Sequence, residues 1–158
     1  MSRKALLSGP LHCWDFYMEA YHRRLRQAED IQQLEQLSRE EEWDVKWNWK
    51  QKLVRESKVI LITDLQQVIH FASYNLAGMN GYQPLEVIGK KPKLFQGPET
   101  EAAVRASIRN AIENRIPFHG TIMNYRKDGS LYRCEVEEHP VHNRNGEVVR
   151  FIAFEKVA

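Results

Sequence analysis

The sequence predicts an α+β fold, a five-stranded antiparallel sheet with helices on one face, preceded by a helical extension. Three observations predict it. The C-terminal part carries two turn signals, Asp128-Gly129 and Asn145-Gly146, which divide it into three consecutive strands that must pair antiparallel. Val59-Ile-Leu-Ile62 is a continuous apolar, β-branched run of the kind found in a buried strand. Before Lys58, by contrast, apolar residues recur at helical steps. Strands that segregate from helices in this way imply an antiparallel sheet covered by helices, not alternating βαβ units.

The extension takes residues 1–57. Ser8-Gly9-Pro10 reads as a helix start, since proline's missing N–H costs nothing in a first turn. From there Leu11, Trp14, Met18, Tyr21, Leu25 and Ala28 recur at steps of three and four, a stripe that buries one helix face. Gln32 interrupts the stripe, and Ile31, Leu34 and Leu37 shift its phase. Ser38-Arg-Glu-Glu41 has capping-box form and predicts a second helix. Within it, Trp43-Asp-Val-Lys-Trp47-Asn-Trp49 alternates like a strand but has the charged flanks of a helix, and we read it as helical. On that helix Trp43, Trp47 and Val54 share one face while Val45, Trp49 and Leu53 share another, so it needs two apolar partners.

The sheet domain takes residues 58–158. Val59 to Ile62 forms the first strand, Asp64 to Gln67 a turn, and Val68 to Phe71 the second strand. Ser73 is placed to cap a short helix carrying Leu76 and Met79, which Gly81 ends. Gly97-Pro98 opens a longer helix with Val104, Ile108, Ala111 and Ile112 on one face, stopped before Pro117. Phe118 to Arg126, Leu131 to His142 and Val148 to Lys156 are the closing strands. Phe151-Ile-Ala-Phe154, like Val59 to Ile62, is apolar on both faces, which a sheet face open to water would not be. We expect Trp43, Trp47 or Trp49 to cover that outer face over Ile152 and Phe154, and to form a homodimer with a neighbouring subunit.

Composition narrows the function. The 158 residues are 42% hydrophobic and 28% charged with net charge +2, which gives no reason to expect nucleic acid or an anionic membrane as partner. No apolar run reaches the roughly 18 residues of a membrane span, and the two-leucine stretch near the start is too short for a signal peptide. Cys13 and Cys134 lack metal or redox spacing, which suits buried thiols in a reducing cytoplasm. No nucleophile–base set, phosphate loop or paired-carboxylate motif stands out, and Glu40-Glu-Glu42 and Glu137-Glu138 read as solvated charge. No catalytic residue and no metal site is expected.

The order and spacing of Ile62-Thr-Asp64, Gly81-Tyr82, Val87-Ile-Gly89, Tyr125-Arg-Lys-Asp-Gly129 with Ser130, and His139-Pro-Val141 before Asn145-Gly146 resemble a PAS domain with its S-box and PAC segments. The resemblance covers Lys58 to the C-terminus and implies a sensory fold. Gly89-Lys-Lys-Pro-Lys-Leu-Phe-Gln-Gly97 and Asn124 to Gly129 are most similar to the light-oxygen-voltage (LOV) subgroup. That subgroup binds flavin through a Gly-x-Asn-Cys-Arg-Phe-Leu-Gln segment, two strand asparagines and a last-strand glutamine. Gly89, Gln96 and Asn124 match, but the reactive cysteine is Pro92, its neighbouring asparagine Lys91, the second asparagine Cys134 and the glutamine Glu155. Proline offers no sulfur for adduct chemistry, and a glutamate replaces the glutamine donor only when protonated. Flavin is thus the one cofactor the resemblance keeps open, against these four departures. A haem-binding relative would carry an axial histidine on the long helix, and Glu101 to Arg115 holds none. We read His70, His119, His139 and His142 as exposed or hydrogen-bonded.

Strand alternation, carried over from the resemblance, points Ile122 and Asn124, Tyr132 and Cys134, and Ala153 and Glu155 into the domain, and with Gln96 these make the candidate ligand pocket. The reading is a cytoplasmic sensory module that binds an unidentified small molecule, or once did, and signals through its N-terminal helices and dimer contacts. The chain stops just past its last strand, so no kinase, cyclase or DNA-binding output is expected in it. A removed output domain and a protein partner in trans both stay open. The alternative is a ligand-free dimerisation or protein-interaction module with its cavity filled by side chains.

Overall fold

The structure, a computed structural model, describes residues 8–158, with side chains from Cys13 onward. The two-leucine stretch near the start and the side chain of Leu11 lie outside them. Five strands form one sheet: β1 (Val59–Thr63), β2 (Ile69–Ala72), β3 (Phe118–Tyr125), β4 (Leu131–His142) and β5 (Val148–Val157). Every pairing is antiparallel, in the order β2-β1-β5-β4-β3. The helices are α1 (Ser8–Glu40), α2 (Leu76–Asn80), α3 (Pro84–Val87) and α4 (Ala102–Asn114), with a 3₁₀ turn at Pro92–Phe95 and a π turn at Gln51–Arg55. The expected five-stranded α+β sheet is therefore the observed one.

Each side of the sheet has its own apolar layer, because the central strands are apolar at both parities. All five β1 residues are buried. On the inner side Val59, Leu61, Ile122, Cys134 and Val136 pack with Leu76, Met79, Val87 and Phe95 from the short helices and the 3₁₀ turn. On the outer side Ile60, Ile62, Ile152 and Phe154 pack with Leu34 of α1 and with Trp43, Trp49 and Leu53. Burying one such side chain contributes roughly 1.5–3 kcal/mol, so the outer layer is as much a core as the inner one.

Several local expectations are corrected. Ser38 to Glu41 does not start a helix. It lies at the end of α1, where the Glu41 and Trp43 N–H groups bond back to the Leu37 and Ser38 carbonyls at 3.0 Å. The Trp43–Trp49 stretch is not helical either. It bridges to the last hairpin through Trp43 and Asn143, and Asp44 N–H bonds His142 O at 3.0 Å. The side-chain packing of the three indoles outweighs the helix preference of the charged flanks. Ser73 does not cap α2: its Oγ accepts the Ile60 N–H at 2.8 Å, tying β1 to the chain after β2. Gly81 does end that helix, in a left-handed conformation (φ 82°) that glycine adopts without strain. The long helix begins at Ala102 and not at Gly97-Pro98, and it is stopped by Arg115 in left-handed conformation (φ 53°) before Pro117 is reached. Cys13 is exposed where a buried thiol was expected, while Cys134 is fully buried.

Candidate functional site

Between the inner face of the sheet and α4 lies a cavity of about 70 Å³. Its apolar wall is Leu61, Ile108, Ile122, Val136, Phe151 and Ala153, and its polar wall is Thr63, Gln67, Gln96, Asn124, Glu138 and Glu155, with Pro92 between them. Alternation along the strands selects these residues. On β5, Phe151, Ala153 and Glu155 face in while Ile152 and Phe154 face out, and the β1–β5 register sets Glu155 opposite Val59 and Ala153 opposite Leu61. On the other side of β5, Glu155 lies opposite Val136 and Glu138 opposite Ala153. The two carboxyls are thus diagonal neighbours on one face.

Gln96 is fixed from both sides. Thr100 Oγ1 accepts the Gly97 N–H at 3.0 Å and donates to Met123 O at 2.7 Å, so the segment after the 3₁₀ turn is anchored to β3. Glycine is required at position 97, since a Cβ there would stand 2.5 Å from the Tyr125 ring. Gln67 reaches the cavity from a left-handed backbone (φ 65°) at the end of a turn that Asp64 organises by accepting the Gln66 and Val68 N–H groups at 2.9 Å.

Ile122, Asn124, Gln96 and Glu155 line the cavity. Tyr132 and Cys134 are buried in the same layer beside it, at 5% and 0% exposure, without lining it. The cysteine Sγ lies 3.6 Å from a Glu155 carboxylate oxygen. Burial pushes the Cys134 thiol well above its usual range, and the Glu155 charge pushes it further. Burial likewise raises the Tyr132 hydroxyl. The same cause raises Glu155 to about 7, only partly offset by the Cys134 hydrogen bond. Glu138 is also raised to about 7, by burial and then by the Glu155 charge.

Sequence reasoning missed Glu138, taken for solvated charge beside Glu137. The parity that turns Cys134 and Val136 inward also turns Glu138 inward. Glu137 does face out, in a cluster with Lys58 at 2.8 Å and His139 at 3.0 Å. Glu41 is no solvated charge either: Arg150 Nη2 and Nε donate to it at 2.7 and 2.9 Å, and Trp43 Nε1 donates at 3.0 Å. Thr63 and Gln67 were also missed, and β1 alternation could have found Thr63. Trp47 stands 5.8 Å from the Phe154 ring, and Trp43 and Trp49 pack edge-on at 6.3 Å. His70 pairs with Asp64 at 2.8 Å, and His119 is exposed near Glu135.

Buried polar atoms concentrate at this cavity. Among the described residues, Thr63 Oγ1, Gln67 Nε2 and Asn124 Oδ1 are buried without a hydrogen-bond partner, as are the nearby Tyr132 hydroxyl and Asn80 Nδ2. Such groups are costly, roughly 1–3 kcal/mol each, unless something bonds them. No helix among the described residues is long and apolar enough to cross a membrane, and none of their acidic, thiol and imidazole side chains form a group of three suited to a metal.

Comparison with known proteins places the fold. The PAS domain family matches residues 57–156. The chain is 39% identical to phototropin-2 of Oryza sativa over 87 residues, which is 55% of this chain and 10% of that protein. It is 38% identical to protein TWIN LOV 1 of Arabidopsis thaliana over 86 residues, 54% of this chain and 22% of that protein. With the blue-light-activated histidine kinase of Brucella ovis the identity is 33% over 85 residues, 54% of this chain and 17% of that protein. The chain therefore spans less than a quarter of the length of these relatives. Among solved structures, the LOV domain of the Erythrobacter litoralis EL346 blue-light-activated histidine kinase superposes with a TM-score of 0.60 at 22% identity, covering 63% of this chain and 94% of that one. A structure described as showing how a flavin analogue sheds light on the LOV mechanism gives 0.65 at 24% identity, covering 72% and 86%.

Proposed function

Since the chain belongs to the PAS domain family, we propose that it is a sensory module whose cavity holds a small polar ligand and whose N-terminal helix carries the signal to a second copy and to a protein partner in trans. The observation that supports this reading is the concentration of unpartnered buried polar atoms at one site. Thr63 and Asn124 are 4% and 5% exposed, yet Thr63 Oγ1 and Asn124 Oδ1 have no partner in the protein, and Glu155, 6% exposed, has only the Cys134 thiol at 3.6 Å. A ligand that bonds them stabilises the folded chain by mass action. Catalysis is not part of the reading, because the one thiol beside a carboxyl, Cys134 next to Glu155, is fully buried and held protonated.

The residues do not fit flavin as the LOV subgroup holds it. The position of the reactive cysteine is Pro92, which lines the cavity without sulfur. The one thiol in the core, Cys134, is held protonated by burial and faces Glu155, so adduct chemistry has no nucleophile. A cavity of about 70 Å³ is also far below the roughly 300–1,000 Å³ of cofactor-sized pockets. The purified protein should be colourless, and a bound chromophore absorbing in the blue would overturn this part of the reading.

The small volume also favours a second reading, a ligand-free interaction domain of the same fold. A thermal-shift screen of polar metabolites, with native mass spectrometry of the purified protein, separates the two. A compound that raises the melting temperature of wild type but not of Asn124→Ala supports the sensory reading, whereas no response across the screen and no retained small molecule supports the second.

A further inference from the structure

The cavity carries more negative charge than its walls compensate. Glu155 of β5 and Glu138 of β4 approach diagonally on the inner face. Among the described residues, no lysine, arginine or histidine acts on either. Asn124 Oδ1 adds an unpartnered acceptor and Thr63 Oγ1 a hydroxyl able to accept; Gln67 Nε2 is an unpartnered donor on the cavity wall, and the Tyr132 hydroxyl and Asn80 Nδ2 lie unpartnered beside it. The other titratable groups facing the carboxyls are Tyr132 and Cys134 of β4, both kept neutral by burial. β1, the 3₁₀ turn and α4 contribute Leu61, Thr63, Pro92, Gln96 and Ile108, none of which titrates. Lys91, Lys93, Arg105 and Arg109 border an adjoining groove, but all four are exposed and screened by water.

Glu155 is buried and Glu138 half-buried beside it, and carboxyls so placed without a counter-ion have two ways out: they keep their protons, or they take up a cation. We propose that the cavity binds a compact N–H-bearing cation, an ammonium or guanidinium group, with Glu155 and Glu138 as counter-ions and Asn124 Oδ1 and Thr63 Oγ1 as further acceptors. The volume sets the size. At about 70 Å³ the space is roughly half of an engineered cavity that admits benzene, so it takes a headgroup of four or five heavy atoms. A planar guanidinium has five donors to spread over these acceptors, where a neutral amide of the same shape has fewer and no charge. The cation replaces a proton, so its affinity falls as the pH drops below about 7, where the carboxyls protonate. The inference rests on the ligand-binding reading above and narrows it to one chemical class.

Methylguanidinium, methylammonium and the neutral isostere N-methylurea are compared at matched ionic strength, at pH 8 and pH 5.5, by thermal shift and by titration calorimetry on the full chain. The expected result is a rise of about 4 °C with methylguanidinium at tenfold excess over its Kd at pH 8. At pH 5.5 the affinity falls at least tenfold. N-methylurea has no comparable effect, and Glu155→Gln loses the response to the cation. Should Glu155→Gln fail to fold, Glu138→Gln is the second variant and is expected to weaken binding in the same direction. An equal response to N-methylurea, or a cation response that neither glutamine variant changes, overturns the cation proposal while leaving a ligand-binding cavity in place. No response to any of the three, alongside a hit from the metabolite screen, overturns the proposal alone. No response to anything overturns both readings.

Discussion

Glu155 and Glu138 hold their protons up to about 7 in the folded protein, against an ordinary value of 4.5 for glutamate. Between those values the native state binds more protons than the unfolded chain, so their contribution is fully present below pH 4.5 and is lost as the pH rises through 7. For Glu155 a shift of that size corresponds to roughly 3 kcal/mol. The opposite sign belongs to Glu137. Burial opposes its ionisation, but the Lys58 hydrogen bond and then His139 bring it down to about 2, so its contribution is lost only in acid, below 4.5. Glu155→Gln is therefore expected to be more stable than wild type at pH 8 by about 1–3 kcal/mol and indistinguishable from it at pH 4.5. Urea melts at a series of pH values check this, and parallel pH profiles for the two proteins would contradict it. At this scale the pocket was legible wherever strand parity alone decides, as at Ile122, Asn124 and Glu155. Glu138 was hidden by its neighbour Glu137, because an adjacent acidic pair looks solvated until parity is applied to each member separately. Gln67 was hidden because its side chain reaches the cavity from a turn with positive φ, and no pattern in Asp64-Leu-Gln-Gln67 announces that.

The strands and their order along the chain followed from turn residues and β-branched runs, which act locally. The segment from Ser38 to Arg55 did not, because its conformation is set by contacts far away in sequence. The Trp43 and Trp49 rings pack at 6.3 Å, the Trp43 indole N–H reaches Glu41, and Glu41 in turn holds Arg150 of β5 through three hydrogen bonds. This clamp joins the end of α1 to the outer sheet face. Trp49 is 6% exposed, so Trp49→Ala is expected to cost about 3–5 kcal/mol by removing a large ring from a packed layer. Glu41→Gln is expected to cost on the order of 1 kcal/mol, because the pair is partly exposed and one hydrogen bond survives. Denaturant unfolding followed by tryptophan fluorescence reads both. A Trp49→Ala cost below about 1 kcal/mol would mean that the indoles are not part of the core.

On the scale of the whole molecule, the outer sheet face is covered by the same chain that forms it, through Leu34, Trp43, Trp49 and Leu53. A second copy is not needed there, and the homodimer we propose must use another surface. We propose the stripe on α1 for it. Trp14, Tyr21 and Leu25 are 63%, 49% and 43% exposed, and Tyr17 beside them is 65% exposed. These residues share one face of α1, a helix of 33 residues and about 50 Å. Its hold on the domain comes later, where Gln27 and Asp30 bond Tyr74 at 2.9 and 2.7 Å and Leu34 enters the core. An exposed apolar stripe from Trp14 to Leu25, about three helical turns, favours a partner helix carrying the same stripe, and a second copy would provide one. Burial raises Asp30 to about 6 against the pull of the Tyr74 N–H, which places a titratable group at the junction between the stripe and the domain. Trp14→Glu combined with Tyr21→Glu is expected to convert a dimer to a monomer by light scattering. The melting temperature of the sheet domain should change by less than about 2 °C, since the described contacts of both rings stay within α1. If the variant keeps the molar mass of wild type, the stripe is not the interface.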